Sequence, residues 1–312
     1  MRQPCLSFGA RPAARPKLFV DLFCGVGGAS QGAKEAGMDV VLAVDSEDEA
    51  LRIHRKAHPD AEHWCTELPH PELSERMPRS SYWLHGSPPC TKVSKANQKR
   101  KPEEQEEGLE LVRWFVDFAM SSSAQVWSME QAGTPIVVAL MHELRRQHGH
   151  RFQFDVFDLY DHGVPQHRRR LIAGSPCVVA GLKRLPPLHR CVRDVVDPRG
   201  THIRNAVYNV NTKLLGVDSK TGRNIWHYEE HGRDDYCVDV GGPSHTILAH
   251  RCLTWAWPGT ELELEVLSAR EAACIQTFPA DYPLHPKKVR ALRGVGNAFP
   301  PAAARRMVQG CV

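Results

Sequence analysis

Residues 18–28 read Leu-Phe-Val-Asp-Leu-Phe-Cys-Gly-Val-Gly-Gly and predict the opening unit of an α/β fold. Residues 18–23 form a short apolar run typical of a buried strand, and a helical stretch follows the glycines. Without a Cβ, the backbone at Gly25 and Gly27 can turn sharply and approach a ligand closely. The segment therefore predicts a strand, a ligand-binding turn and a helix, in that order.

The same alternation continues along the first half of the chain. A second apolar run at 39–44 ends in Asp45 and leads into a predicted helix. Further strands are predicted near 82–86, 125–130, 152–158 and 170–174, with helices near 104–120 and 135–148. Strands that alternate with helices indicate a mostly parallel sheet covered on both faces.

The periodic pattern breaks down at about residue 176, where prolines, turns and scattered aromatic residues take over. Regular helix returns at Ser268, which together with Glu271 has the form of a capping box. We therefore predict an N-terminal arm at 1–16, a catalytic and cofactor-binding domain at 17–175, a small irregular domain at 176–262, and a C-terminal segment at 263–312 that returns to the catalytic domain.

Composition narrows the class of protein. The 312 residues contain no run of the roughly 18 apolar residues that a membrane span needs. Ten cysteines are scattered without a Cys-x-x-Cys pair, which favours a reduced intracellular protein and argues against a disulfide framework or a metal site. A net charge of +4 permits a polyanionic partner. We expect a monomer that works inside the cell, with no membrane partner and no metal.

The first two strand ends predict the cofactor. An acidic side chain at Asp45 can accept both hydroxyl groups of a ribose. The glycine pattern lacks the third glycine of a dinucleotide-binding turn, and no Gly-Lys-Ser/Thr follows to hold a triphosphate. A mononucleoside ligand fits better, so we predict S-adenosylmethionine.

Cys90, in the run Ser87-Pro88-Pro89-Cys90, is the predicted nucleophile. Its thiolate can add to an electron-poor ring carbon near neutral pH. The residues that follow are basic: Lys92, Lys95, Lys99, Arg100 and Lys101. We interpret them as a loop that closes over a phosphate backbone and delivers Cys90, with a plain solvated loop as the alternative.

Six motifs, in this order, resemble those of the DNA (cytosine-5-)-methyltransferase family. They are Asp21–Gly28, Ser87-Pro88-Pro89-Cys90 with Ser94, Glu130-Gln131-Ala132, Gln166-His167-Arg168-Arg169-Arg170, Arg270–Pro279, and Gly296–Pro301. The resemblance implies a Rossmann-like, S-adenosylmethionine-dependent methyltransferase with a mixed sheet, and it makes 176–262 the target-recognition domain.

The resemblance also implies the reaction and the residues that carry it. The methyl group would pass to carbon 5 of a cytosine flipped out of double-stranded DNA, through a covalent adduct of Cys90 at carbon 6. Glu130 would bond to ring N3 and the exocyclic amine, and Arg168 and Arg170 would hold the thiolate and the base carbonyl oxygen. The expected cofactor residues are Phe23, Gly25, Gly27, Asp45, Glu67, Pro88 and Asn297, and the expected substrate residues are Ser94, Gln166 and Thr246.

Two positions depart from the family pattern: Thr91 replaces a glutamine, and Gln131 replaces an asparagine. The short recognition region predicts a short recognition site or weak sequence preference. Three other functions stay open. They are methylation of an exocyclic amine, which Cys90 disfavours because such enzymes place an aromatic ring there, methylation of RNA cytosine by the same chemistry, and a catalytically silent relative that binds DNA or a partner.

Overall fold

A computed structural model of the chain describes residues 16–89, 102–196, 212–217, 224–228, 233–235, 237–238, 242–244, 246–247, 249, 254–255, 265–266 and 268–311. Two of the predicted site residues, Cys90 and Ser94, lie outside the described residues, as does the basic loop that follows Cys90. Within the part of the chain that is described, no helix is long and apolar enough to cross a membrane.

Seven strands form one mixed sheet in the order β3-β2-β1-β4-β5-β7-β6. The bounds are β1 (Leu18–Leu22), β2 (Asp39–Asp45), β3 (Glu62–Cys65), β4 (Tyr82–Gly86), β5 (Val126–Ala132), β6 (Gln153–Asp158) and β7 (Arg169–Gly174). Neighbouring strands are parallel from β3 to β5, whereas β7 is antiparallel to both β5 and β6. The predicted mixed sheet of a Rossmann-like fold is confirmed.

The helices are α1 (Gly28–Glu35), α2 (Asp48–Ala57), α3 (Leu73–Arg76), α4 (Pro102–Ser121), α5 (Pro135–His148), α6 (Pro176–Arg184), α7 (Ala269–Ile275), α8 (Lys288–Asn297) and α9 (Pro301–Gly310). The predicted capping box is present at α7. The Ser268 hydroxyl oxygen accepts from the Glu271 N–H, and the Glu271 carboxylate accepts from the Ser268 N–H. Two donors at the start of the helix are thereby satisfied.

Apolar residues cover both faces of the sheet because side chains alternate along each strand. Val20 and Leu84 belong to a core that includes residues of α4 and α5. Phe19 and Trp83, one position earlier on the same strands, belong to a second core that includes residues of α1, α6 and α9. The near-continuous apolar runs in the sequence are explained by this burial on two sides.

The helix α6 corrects the predicted break in regular structure at residue 176. Pro176 and Gly181 are residues that usually indicate the end of a helix, so the sequence pattern did not predict α6. Proline is nevertheless tolerated in the first turn of a helix. Gly181 lets the backbone of α6 lie against that of Gly310 in α9, where a Cβ would collide with the Gly310 carbonyl group. The same approach corrects the expectation of reduced cysteines, because it brings the Cα atoms of Cys177 and Cys311 to 5.0 Å and the two residues form a disulfide.

Short strands occupy part of the region between α6 and α7. They are β8 (Thr212–Val217), β9 (Asn224–Tyr228), β10 (Arg233–Asp235), β11 (Cys237–Val238), β12 (Thr254–Trp255) and β13 (Glu265–Val266). They form two three-stranded sheets separate from the main sheet.

The position of β1 decides where a ligand can bind. The chain crosses from β1 to β2 on one side and later returns to place β4 on the other side. Such a switch in strand order opens a crevice at the carboxyl ends of the strands. The ends of β1, β2, β4 and β5 therefore surround the candidate site.

Candidate active site

One cavity of about 480 Å³ lies at this edge of the sheet. Its volume is in the usual range for small-molecule sites. The residues that line it come from the ends of β1, β2 and β4, from β5, and from α8 and the turn that follows it; they include Asp21, Phe23, Gly25, Asp45, Pro88, Glu130, Asn297 and Phe299. Six predicted residues from five separate segments of the sequence thus line the same cavity.

The turn after β1 uses the backbone conformations that the glycines predicted. The φ angles of Phe23, Gly25 and Gly27 are 57°, 54° and 94°. No atom lies within 4 Å of where a Cβ on Gly25 would stand, whereas one on Gly27 would lie 2.7 Å from the Tyr282 hydroxyl oxygen. Gly25 consequently leaves open space beside the cavity, and Gly27 makes room for close packing.

The carboxylate of Asp45 joins the first two strand ends. Its Oδ2 accepts from the N–H of Gly25 at 2.8 Å, and its Oδ1 accepts from the N–H of Glu47 at 2.8 Å. Burial raises the pKa of Asp45 above its ordinary value. Each oxygen has a second lone pair, so the carboxylate can still accept a ligand hydroxyl group.

Asp21 is a site residue that the sequence reasoning did not single out. Its side chain is 1% exposed and lines the cavity, and Oδ2 accepts from both the N–H and the hydroxyl group of Ser30. Its Oδ1 has no hydrogen-bond partner among the described residues. Burial raises the pKa of Asp21 to about 7. A lone acid inside an apolar strand was the available signal, because a buried carboxyl group needs a partner.

Glu130 and Arg170 form an ion pair beside the cavity. The Nε of Arg170 lies 2.7 Å from Oε1 of Glu130, and both side chains are largely buried. The antiparallel pairing of β5 with β7 sets Arg170 opposite Ala132, two residues from Glu130 on the same face. Two motifs that are distant in sequence therefore supply one charged pair.

Gln131 holds the segment that leads to Cys90. Its Nε2 donates to the Pro88 carbonyl oxygen at 3.0 Å, and its Oε1 accepts from the N–H of Ala132. The N–H of Ser87 donates to the Leu22 carbonyl oxygen at 3.1 Å. This departure from the family pattern thus keeps a bond between β5 and the Pro-Pro segment.

Arg168 and Gln166 face the protein interior. The Arg168 guanidinium donates to the carbonyl oxygens of Ile247, Gly296 and Ala298 at 2.9–3.2 Å. The fully buried Gln166 donates to Oε1 of Gln276 and accepts from the N–H of Ile247. The amide nitrogen and oxygen of Gln166 and the guanidinium group of Arg168 are thus bonded to other segments of the chain. A contact of either side chain with the substrate stays a prediction.

Three further predicted residues, Thr246, Asn297 and Glu67, lie in different parts of the structure. The Thr246 hydroxyl group donates to the His167 carbonyl oxygen at 2.6 Å. Asn297 is exposed and lines the cavity, whereas Glu67 is exposed and is not among the lining residues. Gln276, which bonds to Gln166, is fully buried and donates to the carbonyl oxygens of Val295 and Ala298.

Comparison with known proteins assigns the family. The family model described as C-5 cytosine-specific DNA methylase matches residues 18–175 and 204–312. The chain belongs to this family.

Relatives of this C-5 cytosine methylase are divergent in sequence but similar in length and fold. The Type II methyltransferase M.HgiDI of Herpetosiphon aurantiacus is 26% identical over 307 residues, covering 90% of this chain and 89% of that protein. The crystal structure of a prophage-encoded methyltransferase of E. coli has a TM-score of 0.66 at 18% identity, covering 94% of this chain and 97% of the other. The S. pombe Dnmt2 methyltransferase has a TM-score of 0.63 at 13% identity, with the same coverage of 94% and 97%.

S-adenosylmethionine is the methyl donor of this methylase, and the cavity fits it. Gly25 leaves space where a side chain would intrude, and the carboxylate of Asp45 is available to a ribose. The unpaired Oδ1 of Asp21 matches a cationic ligand, and S-adenosylmethionine carries an ammonium and a sulfonium group. The donor set of the cavity therefore agrees with the cofactor that the sequence predicted.

Proposed function

We propose that this methylase transfers a methyl group to carbon 5 of a flipped-out cytosine in double-stranded DNA, with Cys90 as the covalent nucleophile. The observation that carries the proposal is the Glu130–Arg170 ion pair, which borders the cavity that fits the cofactor. A site that only bound DNA would have no need of a buried carboxylate beside a methyl donor. The family match to a cytosine-specific DNA methylase supports the same reaction.

In the proposed reaction, Cys90 forms and breaks the covalent bond to the base, and Glu130 handles the proton on the ring. The Cys90 thiolate adds to carbon 6, and the electron pair of the 5,6 double bond moves into the ring, where Glu130 donates a proton to N3. Carbon 5 thereby becomes nucleophilic; bound S-adenosylmethionine would supply the electrophilic methyl group and leave as S-adenosylhomocysteine. A base then removes the proton from carbon 5, that electron pair re-forms the 5,6 double bond, and the Cys90 sulfur leaves as a thiolate. The proton on N3 returns to the Glu130 carboxylate.

Arg170 holds Glu130 in place during this sequence and offers its remaining N–H groups to the base carbonyl oxygen. Its fixed positive charge also stabilises negative charge near the ring. Arg168 and Gln166 act as positioning residues that join the strand β7 to the segments around Ile247 and Ala298. Thr246 donates a hydrogen bond to the carbonyl oxygen of His167, which lies between Gln166 and Arg168, and it supports the flipped nucleotide.

A trapping experiment tests the proposal. The full-length protein is incubated with labelled S-adenosylmethionine and a duplex that contains 5-fluorocytosine. Fluorine at carbon 5 blocks the final elimination, so a complex that resists denaturation forms only after attack at carbon 6 and methyl transfer. We expect this complex with wild type and with Cys65→Ala, which removes an exposed free cysteine, but not with Cys90→Ala.

Repeating the experiment with DNA and with RNA distinguishes the proposal from the other candidate functions. A trapped complex with 5-fluorocytosine RNA and none with DNA would replace the proposal with RNA methylation. No complex with either nucleic acid, despite binding of the cofactor, would favour a silent relative or methylation of an exocyclic amine.

A further inference from the structure

Two charged pairs connect opposite walls of the cofactor cavity. Glu47 and Glu49 lie at the start of α2, directly after the β2 end that carries Asp45. Arg293, on α8, has Nη1 3.4 Å from Oε1 of Glu47, and Arg290 forms an ion pair with Glu49. All four side chains line the cavity.

Exposure places these pairs at the rim of the cavity. Their side chains are between 41% and 59% exposed, whereas Asp21, which lines the same cavity, is 1% exposed. His285, whose Nε2 is 3.9 Å from Glu49, also lines the cavity. The charges thus lie between the buried ligand-binding groups and solvent.

Beneath the charges, the two helices are joined by apolar packing. Ile53 of α2 belongs to the same buried cluster as Leu292 and Val295 of α8. The two helices are therefore tied through one buried hydrophobic cluster, while the ion pairs between them are half-exposed. Such pairs are individually weak and are screened by salt, so they can open without unfolding the helices.

The rim is also connected to the groups that would hold the cofactor. The N–H of Glu47 donates to Oδ1 of Asp45, and α8 ends at Asn297, whose side chain lines the cavity. Opening the rim would move the charged side chains on both walls away from the ligand. Closing it would narrow the path by which the ligand leaves.

We propose that the pairs Glu49–Arg290 and Glu47–Arg293 form a latch over the cofactor cavity, which holds bound cofactor and opens for exchange. The proposal rests on the proposed function, because it requires the cofactor to occupy this cavity. The four residues act as positioning residues, and the latch sets the rate at which cofactor and product dissociate.

Dissociation of S-adenosylhomocysteine from the full-length protein tests the latch. Glu49→Lys and Arg290→Glu each place like charges across the rim, and we expect about fivefold faster dissociation from each. The double variant restores opposite charges and should return the rate close to that of wild type. Glu49→Gln, a milder change, should accelerate dissociation about twofold and reduce its dependence on NaCl between about 50 mM and about 500 mM.

Asp48→Lys provides the matched control. Asp48 pairs with Arg52 within α2 at 2.7 Å, both side chains are exposed, and neither is among the residues that line the cavity. We expect this variant to dissociate at the wild-type rate. Thermal unfolding midpoints of all variants separate an effect on the rim from a loss of fold.

The outcomes separate the latch from other roles. Rates that are equal in every variant would overturn the latch while leaving the proposed function in place. A slower or faster rate in Arg290→Glu that the double variant does not recover would mean that the arginine contacts the ligand directly, and would also overturn it. A wild-type protein that does not bind S-adenosylhomocysteine would overturn both proposals.

Discussion

Nε of Arg170 lies 2.7 Å from Oε1 of Glu130, and the antiparallel pairing of β7 with β5 is what brings them together. Because Arg170 is opposite Ala132, its side chain points to the same face of the sheet as that of Glu130. A shift of one residue in this register would send the two side chains to opposite faces. The strand pairing therefore fixes the position of this ion pair beside the cavity.

Glu130→Gln should lower kcat by about 100- to 10,000-fold, because the amide keeps the size of the side chain but cannot donate the proton to the ring. Labelled methyl transfer to a cytosine-containing duplex measures the rate. Glu143→Gln is the control, since Glu143 forms a partly exposed ion pair with Arg113 away from the cavity-lining residues, and it should retain wild-type turnover. Equal rates for Glu130→Gln and wild type would refute the role of Glu130.

Gly25→Ala and Gly37→Ala form a matched pair. Both glycines have positive φ angles, 54° and 81°, and a Cβ added to either would have no atom within 4 Å. Each substitution should cost about 1–2 kcal/mol of folding free energy from backbone strain. Only Gly25→Ala should also weaken cofactor binding, by tenfold or more as measured by calorimetry, because only its methyl group would stand beside the cavity. Similar affinities in the two variants would show that Gly25 is not a ligand-contacting position.

Gln131→Leu should lower kcat by about 10- to 100-fold, because loss of the bond to Pro88 frees the segment that leads to Cys90, the proposed nucleophile. Single-turnover methyl transfer measures the chemical step directly. Gln31→Leu removes an exposed amide that bonds to Glu35 on α1, and it should leave turnover unchanged. Full activity in Gln131→Leu would mean that other contacts suffice to hold Pro88.

Arg168→Lys should destabilise the fold by about 2 kcal/mol. A lysine ammonium group cannot reproduce the planar guanidinium group, which donates hydrogen bonds to three carbonyl oxygens. Denaturant unfolding measures the loss. Arg151→Lys is a milder case, since Arg151 is exposed and donates to one carbonyl oxygen, that of Met120, and it should change stability by less than about 0.5 kcal/mol. Comparable losses in the two variants would contradict the assignment of Arg168 as the joint between segments.

His85 should make the protein less stable as the pH falls below 6.5. Burial lowers the pKa of His85 to about 3, from an ordinary value of 6.5. Between these values the unfolded chain binds a proton at this residue and the folded chain does not, so the free energy of unfolding falls by about 1.4 kcal/mol for each pH unit. Above pH 6.5 His85 is neutral in both the folded and the unfolded chain, so this loss of stability is absent.

His85→Gln isolates this effect. Asp21, with a pKa raised to about 7, has the opposite sign, because the folded form keeps its proton above pH 3.8 and stability from this group falls as the pH rises. Asp21 is present in both proteins, so its contribution cancels when the unfolding free energy of His85→Gln is subtracted from that of wild type. Denaturant midpoints between pH 5 and pH 7.5 measure this difference. A difference that does not change with pH would show that His85 has the same pKa in the folded and the unfolded chain.

Short-range sequence patterns were sufficient to predict most of the main sheet and the identity of the cofactor. Strand and helix periods, the glycines after β1 and the acid after β2 are short-range features, and each indicates its structure within about ten residues. The same reasoning missed α6, because Pro176 and Gly181 interrupt its pattern while tertiary packing stabilises it.

The contacts of the residues in the Gln-x-Arg-x-Arg motif depended on long-range packing instead. The sequence shows Arg168 and Arg170 as equivalent charges, but strand register turns one to Glu130, and the segments around Ile247 and Ala298 surround the other. The disulfide between Cys177 and Cys311 likewise requires the close approach of α6 and α9, separated by 134 positions. The order of the motifs was enough to indicate the family because each motif carries its own residue types. Which side chains contact one another was decided by contacts that form only when distant segments fold together.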